Sequence, residues 1–248
     1  MNVGFKLVNS VYVTWTKSTS EVKDGINVGL KGTVAQRLFT IPGIGWVAAA
    51  FCTRLFVRRF VPDLQRLHDV LEETDLSGHY WIRAGMLLGW AREGTLLAHD
   101  RDADFGVLAE DLPRLLGAIS ALRRAGFRPL MRFRNNERQT VELTFIRHGT
   151  KFEFFILEPV DDQLRYFVFG WHPDHLFQIE KRLPAQGLVP FDFLDRKWLR
   201  PDDFELELRC MYGDWRIPKR DWNYLRDARN EVNRQPWVEY DTTWSDGN

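Results

Sequence analysis

Before residue 62 the apolar residues of the chain keep no sustained period, and after it they do. Leu64, Leu67, Val70 and Leu71 recur at three- and four-residue steps, which predicts one face of a helix ending before Ser77-Gly78. His79 to Ala84 is short, apolar and aromatic and reads as a strand. Gly85 then opens a segment whose Leu87, Leu88 and Ala91 share a helical face, and Gly94 closes it. Asp100 to Val107 alternates acids with other residues and turns apolar at its end, as the next strand would. Leu112, Leu115, Leu116, Ile119 and Leu122 then form a helical stripe, with Asp111 as N-cap, Pro113 in the first turn and Gly126 as C-cap. Three strand-like runs follow, Phe127 to Phe133, Thr140 to Ile146 and Lys151 to Glu158, separated by Asn135-Asn136 and His148-Gly149-Thr150. Asp161-Asp162 turns the chain into Leu164 to Phe169, Pro190 to Pro201 reads as a connecting segment, and Phe204 to Met211 reads as a helix.

The N-terminal part follows other rules. Val11 to Trp15 could form one strand within an otherwise irregular arm. Leu38 to Val57 is strongly apolar, but its longest run without charge, Leu38 to Thr53, is shorter than the roughly 20 residues of a spanning helix. The reading is a helix from about Gly45 that either lies at a membrane interface, with Arg54, Arg58 and Arg59 toward anionic headgroups, or packs into a core. Residues 1–20 lack a basic stretch followed by an apolar one, so no cleavable leader is expected.

Composition narrows the class. With 248 residues and 44% hydrophobic content the chain can bury a full core. Acidic and basic residues balance at 34 each, which argues against a general nucleic-acid binder. Cys52 and Cys210 cannot build a disulfide framework or a cysteine-rich zinc site, and a reducing compartment is the simpler reading.

The chemistry concentrates between Arg83 and Leu108. Side chains two apart on a strand point the same way, so Asp100, Asp102 and Asp104 would share a face and repel one another. A divalent cation such as Mg²⁺ would relieve that repulsion, and a solvated acidic edge is the plain alternative. Just upstream, Gly85 would let a ligand approach the backbone, and the N-terminus of its helix would offer N–H groups to an anion. Glu153, flanked by Phe152, Phe154 and Phe155, should be half-buried and needs a partner: as metal ligand or catalytic base, or as an outward-facing acid. The run Trp171-His172-Pro173-Asp174-His175 is too sparse for zinc and reads as a turn, or as a substrate-facing loop through Trp171 and His172.

At these residues the sequence resembles the LicD and fukutin-related phosphotransferases. Their pattern is filled in order by Gly85, Leu87-Leu88-Gly89, Arg92, Gly94, Asp100, Asp102, Asp104 and Gly106, and again by Tyr212-Gly213-Asp214-Trp215 with Pro218. Met86 departs from it, since many relatives place Ser, Thr or Gly there. The resemblance implies an α+β fold, a nucleotidyltransferase-like mixed sheet flanked by helices, with an N-terminal apolar helical arm and a C-terminal helical segment. The corresponding division is an arm over 1–60, a catalytic domain over 61–228 and a loosely attached tail over 229–248. It implies a metal-dependent transfer of a phospho-substituent, such as phosphocholine or an alditol phosphate, from a nucleotide-diphosphate-linked donor, a CDP conjugate, to a glycan or glycolipid; the alternatives are nucleotidyl transfer to a small acceptor and an inactive relative that binds glycan or nucleotide. Mg²⁺ or Mn²⁺ would sit on Asp100, Asp102, Asp104 and Glu153, the last matching a third carboxylate written apolar-acid-apolar. Asp102, Asp104, Glu153 and Arg92 would carry catalysis, with Gly85, Met86, Gly89, Arg92, Trp171 and His172 around the substrate. Arg92 would make a bidentate phosphate contact or a salt bridge to the acids. Tyr212 and Trp215 would lock the end of the domain by packing. The expected location is cytoplasmic, with peripheral membrane contact through residues 38–59 left open.

Overall fold

Aromatic and β-branched runs too short for helices dominate the middle of the chain, and they form a mixed sheet. A computed structural model of the protein describes residues 59–97, 100, 102–172, 175–219 and 222–237, without the side chains of 171, 172 and 175. The strand expected at Val11 to Trp15 and the apolar helix from about Gly45 lie outside the described residues. The chain divides into two units, Met1–Phe60 and Val61–Asn248, and the mixed sheet with its helices belongs to the second.

Helix α1 runs through residues 61–72, and its apolar stripe of Leu64, Leu67, Val70 and Leu71 is buried as its spacing predicts. Strand β1 (Tyr80–Ile82) leads into α2 (Ala84–Glu93), which Gly94 ends with a left-handed φ of 66°. Strand β2 (Asp102–Leu108) follows, then α3 (Leu112–Arg124), β3 (Arg128–Arg134), β4 (Thr140–Arg147) and β5 (Thr150–Val160). Asp111 precedes α3 but does not cap it; its carboxylate meets His79 at 3.0 Å and Arg114 at 2.9 Å instead. The chain continues through β6 (Gln163–His172), β7 (His175–Pro184), β8 (Leu188–Phe193), β9 (Arg196–Pro201), α4 (Phe204–Tyr212) and β10 (Glu231–Pro236).

Strand β5 is long enough to serve two neighbourhoods. Its first part lies between β2, to which it is parallel, and antiparallel β4. Its last residues, Glu158 to Val160, pair with β6, which continues to β7 and β10. The fold is α+β, as the sequence implies, and no described helix is long and apolar enough to cross a membrane.

Alternation gives the sheet two unlike faces. Ala103, Phe105 and Val107 of β2, Phe152, Phe154 and Ile156 of β5, and Leu143 and Phe145 of β4 share one face and are buried. Phe105 stacks on Phe154 at 4.9 Å and on Trp198 at 6.0 Å, and His68 of α1 packs on Trp198 at 4.4 Å. The opposite face carries Asp102, Asp104 and Gly106 beside Lys151, Glu153 and Phe155.

Two stretches differ from the sequence reading. The connecting segment Pro190 to Pro201 lies within a two-stranded hairpin of β8 and β9, turned by Leu194 and Asp195 at φ 49° and 56°. Glycine and asparagine normally mark such a turn, and their absence hides it. The tail expected from 229 contributes β10, paired antiparallel with β7, and Trp237 is buried against Phe169 with centroids 4.4 Å apart. Its polar sequence reflects exposure along the whole strand: backbone pairing with β7, aided by Arg234 over the Phe177 ring, holds Glu231–Pro236 in the sheet, so no apolar alternation announces it.

Candidate functional site

The site begins where β1 hands over to α2. Arg83 sits at the N-cap with extended backbone and no side-chain cap, and its N–H donates to the Asp104 carbonyl at 3.1 Å, tying the start of the helix to β2. The first turn of α2 carries no acid of its own. Asp100 provides one from outside: a Cβ on Gly85 would lie 2.3 Å from Asp100 Oδ2. The absent side chain at Gly85 therefore makes room for the protein's own carboxylate at the positive end of the helix. The expected exogenous anion at Gly85 gives way to Asp100, which precedes β2 and does not share its alternation.

Asp102 and Asp104 do share a face. In the parallel register Asp104 stands opposite Glu153 and Asp102 opposite Lys151, while Thr144 of β4 stands on the other side of Glu153. Lys151 Nζ donates to Glu153 Oε1 at 3.2 Å, which fixes that carboxylate. Glu142, two residues before Thr144, turns to the same face, is 6% exposed and accepts the Thr144 hydroxyl at 2.9 Å.

This crowding shows in the acidities. Burial, then Asp102, Glu153 and Asp100, push Asp104 well above the usual carboxylate range, with Arg83 opposing them. Burial also raises Glu153, with Lys151 opposing and Asp102 adding to the rise. Glu142 is pushed up to about 8 by burial and by Glu153. Although burial works against its charge, Glu153 and Asp102 hold the Lys151 ammonium above its ordinary range. The face thus gathers more negative charge than its cations neutralise. As the side chains stand, no three described histidines, cysteines or acids form a ready metal-binding group. The donor set itself suits a hard divalent ion, being all carboxylate oxygen with excess charge in a partly dry environment.

The remaining expected site residues fall elsewhere. Met86 is fully buried, and its thioether packs in the interior. Gly89 is buried because the loop after α2 crosses it: a Cβ would lie 2.6 Å from the Thr95 carbonyl oxygen. Arg92 donates from Nε to the Trp215 carbonyl and from Nη2 to the Ile217 carbonyl at 3.4 Å. Its guanidinium is committed to holding the segment after α4, in place of either a phosphate or the acids. The backbones of Trp171 and His172 end β6 as part of a hairpin.

Sequence reasoning missed several residues. Glu142 carries the same apolar-acid-apolar writing as Glu153, in Val141-Glu142-Leu143, and that signal was available. Lys151 and Arg83 had none. Tyr212, expected only to pack, faces the acids as well: burial, then Asp104 and Asp100, push its phenol well up. Its ring also packs on Trp222 at 4.6 Å.

Residues 78–156, which span β1 to the middle of β5, match the family described as LicD/FKTN/FKRP, nucleotidyltransferase domain. Among curated proteins the chain is similar to the ribitol-5-phosphate transferase FKTN of Macaca fascicularis and of Homo sapiens, each 24% identical over 157 residues, covering 61% of this chain and 32% of the relative. The Mus musculus protein of the same name is 25% identical over 162 residues, covering 63% of this chain and 33% of its own length. The similar stretch spans about a third of these curated relatives. The matched residues hold the helix that begins at Ala84, the carboxylates of β2 and Glu153 of β5, so the similarity to the LicD/FKTN/FKRP nucleotidyltransferase domain covers the acidic face itself.

Proposed function

We propose that the protein is a phosphotransferase that moves a phospho-substituent from a nucleotide-diphosphate-linked donor to a hydroxyl of a glycan or glycolipid. The observation that carries this reading is the register that sets Asp104 beside Glu153, with Asp102 on the same face and Asp100 at the end of α2. The name of the fukutin relatives makes a ribitol phosphate donor the first to try.

In this reading Asp102, Asp104 and Glu153 hold Mg²⁺ or Mn²⁺, with Asp100 beside them. A bound ion of that kind supplies Lewis-acid stabilisation of charge on phosphoryl oxygens. The chain's own groups do the rest. Glu153 takes the proton of the attacking hydroxyl as the new O–P bond forms and the bond to the departing nucleoside monophosphate breaks. Burial favours the protonated form of this carboxyl once it has taken the proton, and Lys151 holds it in place. Arg92 acts at a distance by fixing the chain after Tyr212. Cytoplasmic location and a peripheral membrane contact through residues 38–59 complete the proposal.

The test is a panel of CDP-linked donors, including ribitol and choline conjugates, assayed with Mg²⁺ and a glycan acceptor. Release of CMP, abolished by chelator and by Asp102→Asn, is the expected result. Release of ribitol phosphate or phosphocholine in place of CMP, with CMP left on the acceptor, would mean nucleotidyl transfer, and activity indifferent to both chelator and Asp102→Asn would overturn the assignment.

A further inference from the structure

Next along the same face, past Glu153, lies Phe155, and over its ring sits the guanidinium of Arg83, 5.1 Å from the centroid. The same group lies 4.2 Å from the centroid of Tyr166. Arg83 is 1% exposed, and none of its three side-chain nitrogens makes a hydrogen bond. Burial raises the Tyr166 phenol, and the guanidinium, close beside its hydroxyl, opposes that rise.

An arginine does not escape burial by losing its proton. A fully buried guanidinium with unmet donors is among the costliest arrangements a fold can hold. Ring faces offset part of that cost and satisfy none of the donors. Within electrostatic reach lies an acid in the mirror-image position. Glu207 of α4 is 4% exposed, feels Arg83, and keeps Oε1 buried without a partner. Asn230 completes the group: its amide nitrogen donates to the Tyr166 hydroxyl at 2.9 Å, while its carbonyl oxygen is buried and unmet. Three elements distant in sequence thus bring unmet donors and unmet acceptors to one place.

We infer that Arg83, Glu207 and Asn230 form a receptor for a phosphorylated polyol, with the phosphate on Arg83 and hydroxyls on Glu207 and Asn230. Inorganic phosphate alone would answer only the donors, and a neutral polyol would leave the guanidinium uncompensated. A group bearing both satisfies the whole set of unmet donors and acceptors. The choice of ligand deepens the proposed function and rests on it: the receptor would seat the transferred group of the donor, with its phosphate toward Asp104 and Glu153. The Arg83 N–H bond to the Asp104 carbonyl anchors the receptor to the carboxylate strand.

The experiment is calorimetry on the full chain at one fixed Mg²⁺ concentration, with ribitol 5-phosphate, ribitol and inorganic phosphate as probes. The expected order is ribitol 5-phosphate tightest. Arg83→Met should weaken ribitol 5-phosphate and phosphate at least tenfold. Glu207→Gln should weaken ribitol 5-phosphate at least fivefold and leave phosphate unchanged. That split is what a merely structural acid would not produce, and it carries the test alone if Arg83→Met does not fold. Equal affinities in wild type and both variants, or no binding of ribitol 5-phosphate to the wild type, overturn the receptor. Failure here is distinguishable from failure of the proposed reaction. CMP release that depends on Asp102 but survives Arg83→Met sinks only the receptor, whereas intact receptor binding with no transfer from any donor sinks only the reaction.

Discussion

Replacing Glu207 by glutamine should make the protein more stable at alkaline pH relative to acid pH. Glu207 lies buried on α4, and burial pushes its carboxyl from an ordinary 4.5 to about 7, with Arg83 working weakly the other way. The folded protein therefore holds this proton more tightly than the unfolded chain does. Stability from that proton is fully present below pH 4.5 and is lost as pH rises through 7. The difference between 7 and 4.5 is about 2.5 pH units, and at about 1.36 kcal/mol each the swing is about 3 kcal/mol. At 4% exposure Glu207 has little solvent screening to discount. Urea unfolding of wild type and Glu207→Gln at pH 5 and pH 8 isolates the effect, because other titrating groups cancel in the double difference. Gln should gain about 2.5 kcal/mol on wild type between the two conditions, because part of the swing already falls below pH 5. A double difference near zero would refute the placement of an ionisable group in a dry, uncompensated environment.

Three further outcomes follow from the geometry. Asp104→Asn should lower CMP release by at least about a hundredfold, the equivalent of about 3 kcal/mol, while raising the melting temperature, because burial and three neighbouring acids oppose ionisation of Asp104. Loss of both activity and stability would contradict that account. Gly106→Ala should cost about 1–3 kcal/mol in urea unfolding, since a Cβ there would lie 2.3 Å from the Trp81 ring; a neutral result would mean that ring is free to move. Arg92→Lys should speed amide exchange around Trp215 to Ile217 and cost about 1 kcal/mol, by losing the fork that spans two carbonyls; unchanged exchange there with a large loss of donor affinity would restore Arg92 to the phosphates.

What the sequence revealed was whatever is local. The Gly94 stop, the apolar stripe of α3 and the alternation of β2 each need only neighbouring residues. Asp102, Asp104 and Glu153 were legible as acids in strands. Their adjacency was not, because a parallel register between β2 and β5 depends on everything folded between them. Glu142 shows the limit from the other side: its flanking residues match those of Glu153, and only the β4 pairing tells which face it takes. A motif position gives Arg92 and Met86 no partner in advance; long-range carbonyls meet one and the core holds the other. Arg83 had no pattern at all, and its significance appears only once its surroundings are known to leave it unmet.

The two faces of the sheet explain why this fold tolerates such a site. On one face Phe105, Phe145, Phe152 and Phe154 pack with Phe127 and Trp198, in edge-on and stacked pairs 4.9 to 6.0 Å apart. Burial of each large side chain is worth about 1.5–3 kcal/mol before entropy, and the aromatic pairs add to it. The opposite face of the same strands places Asp102, Asp104, Glu142 and Glu153 against one another, an arrangement that opposes folding. Because alternate residues of β2 and β5 serve the two faces, neither strand can shift by one residue without exchanging phenylalanines for carboxylates. The apolar face therefore fixes the register that the acidic face requires. Substitutions such as Phe154→Leu should lower stability first, and lower activity only as far as the register loosens; those among the acids should do the reverse.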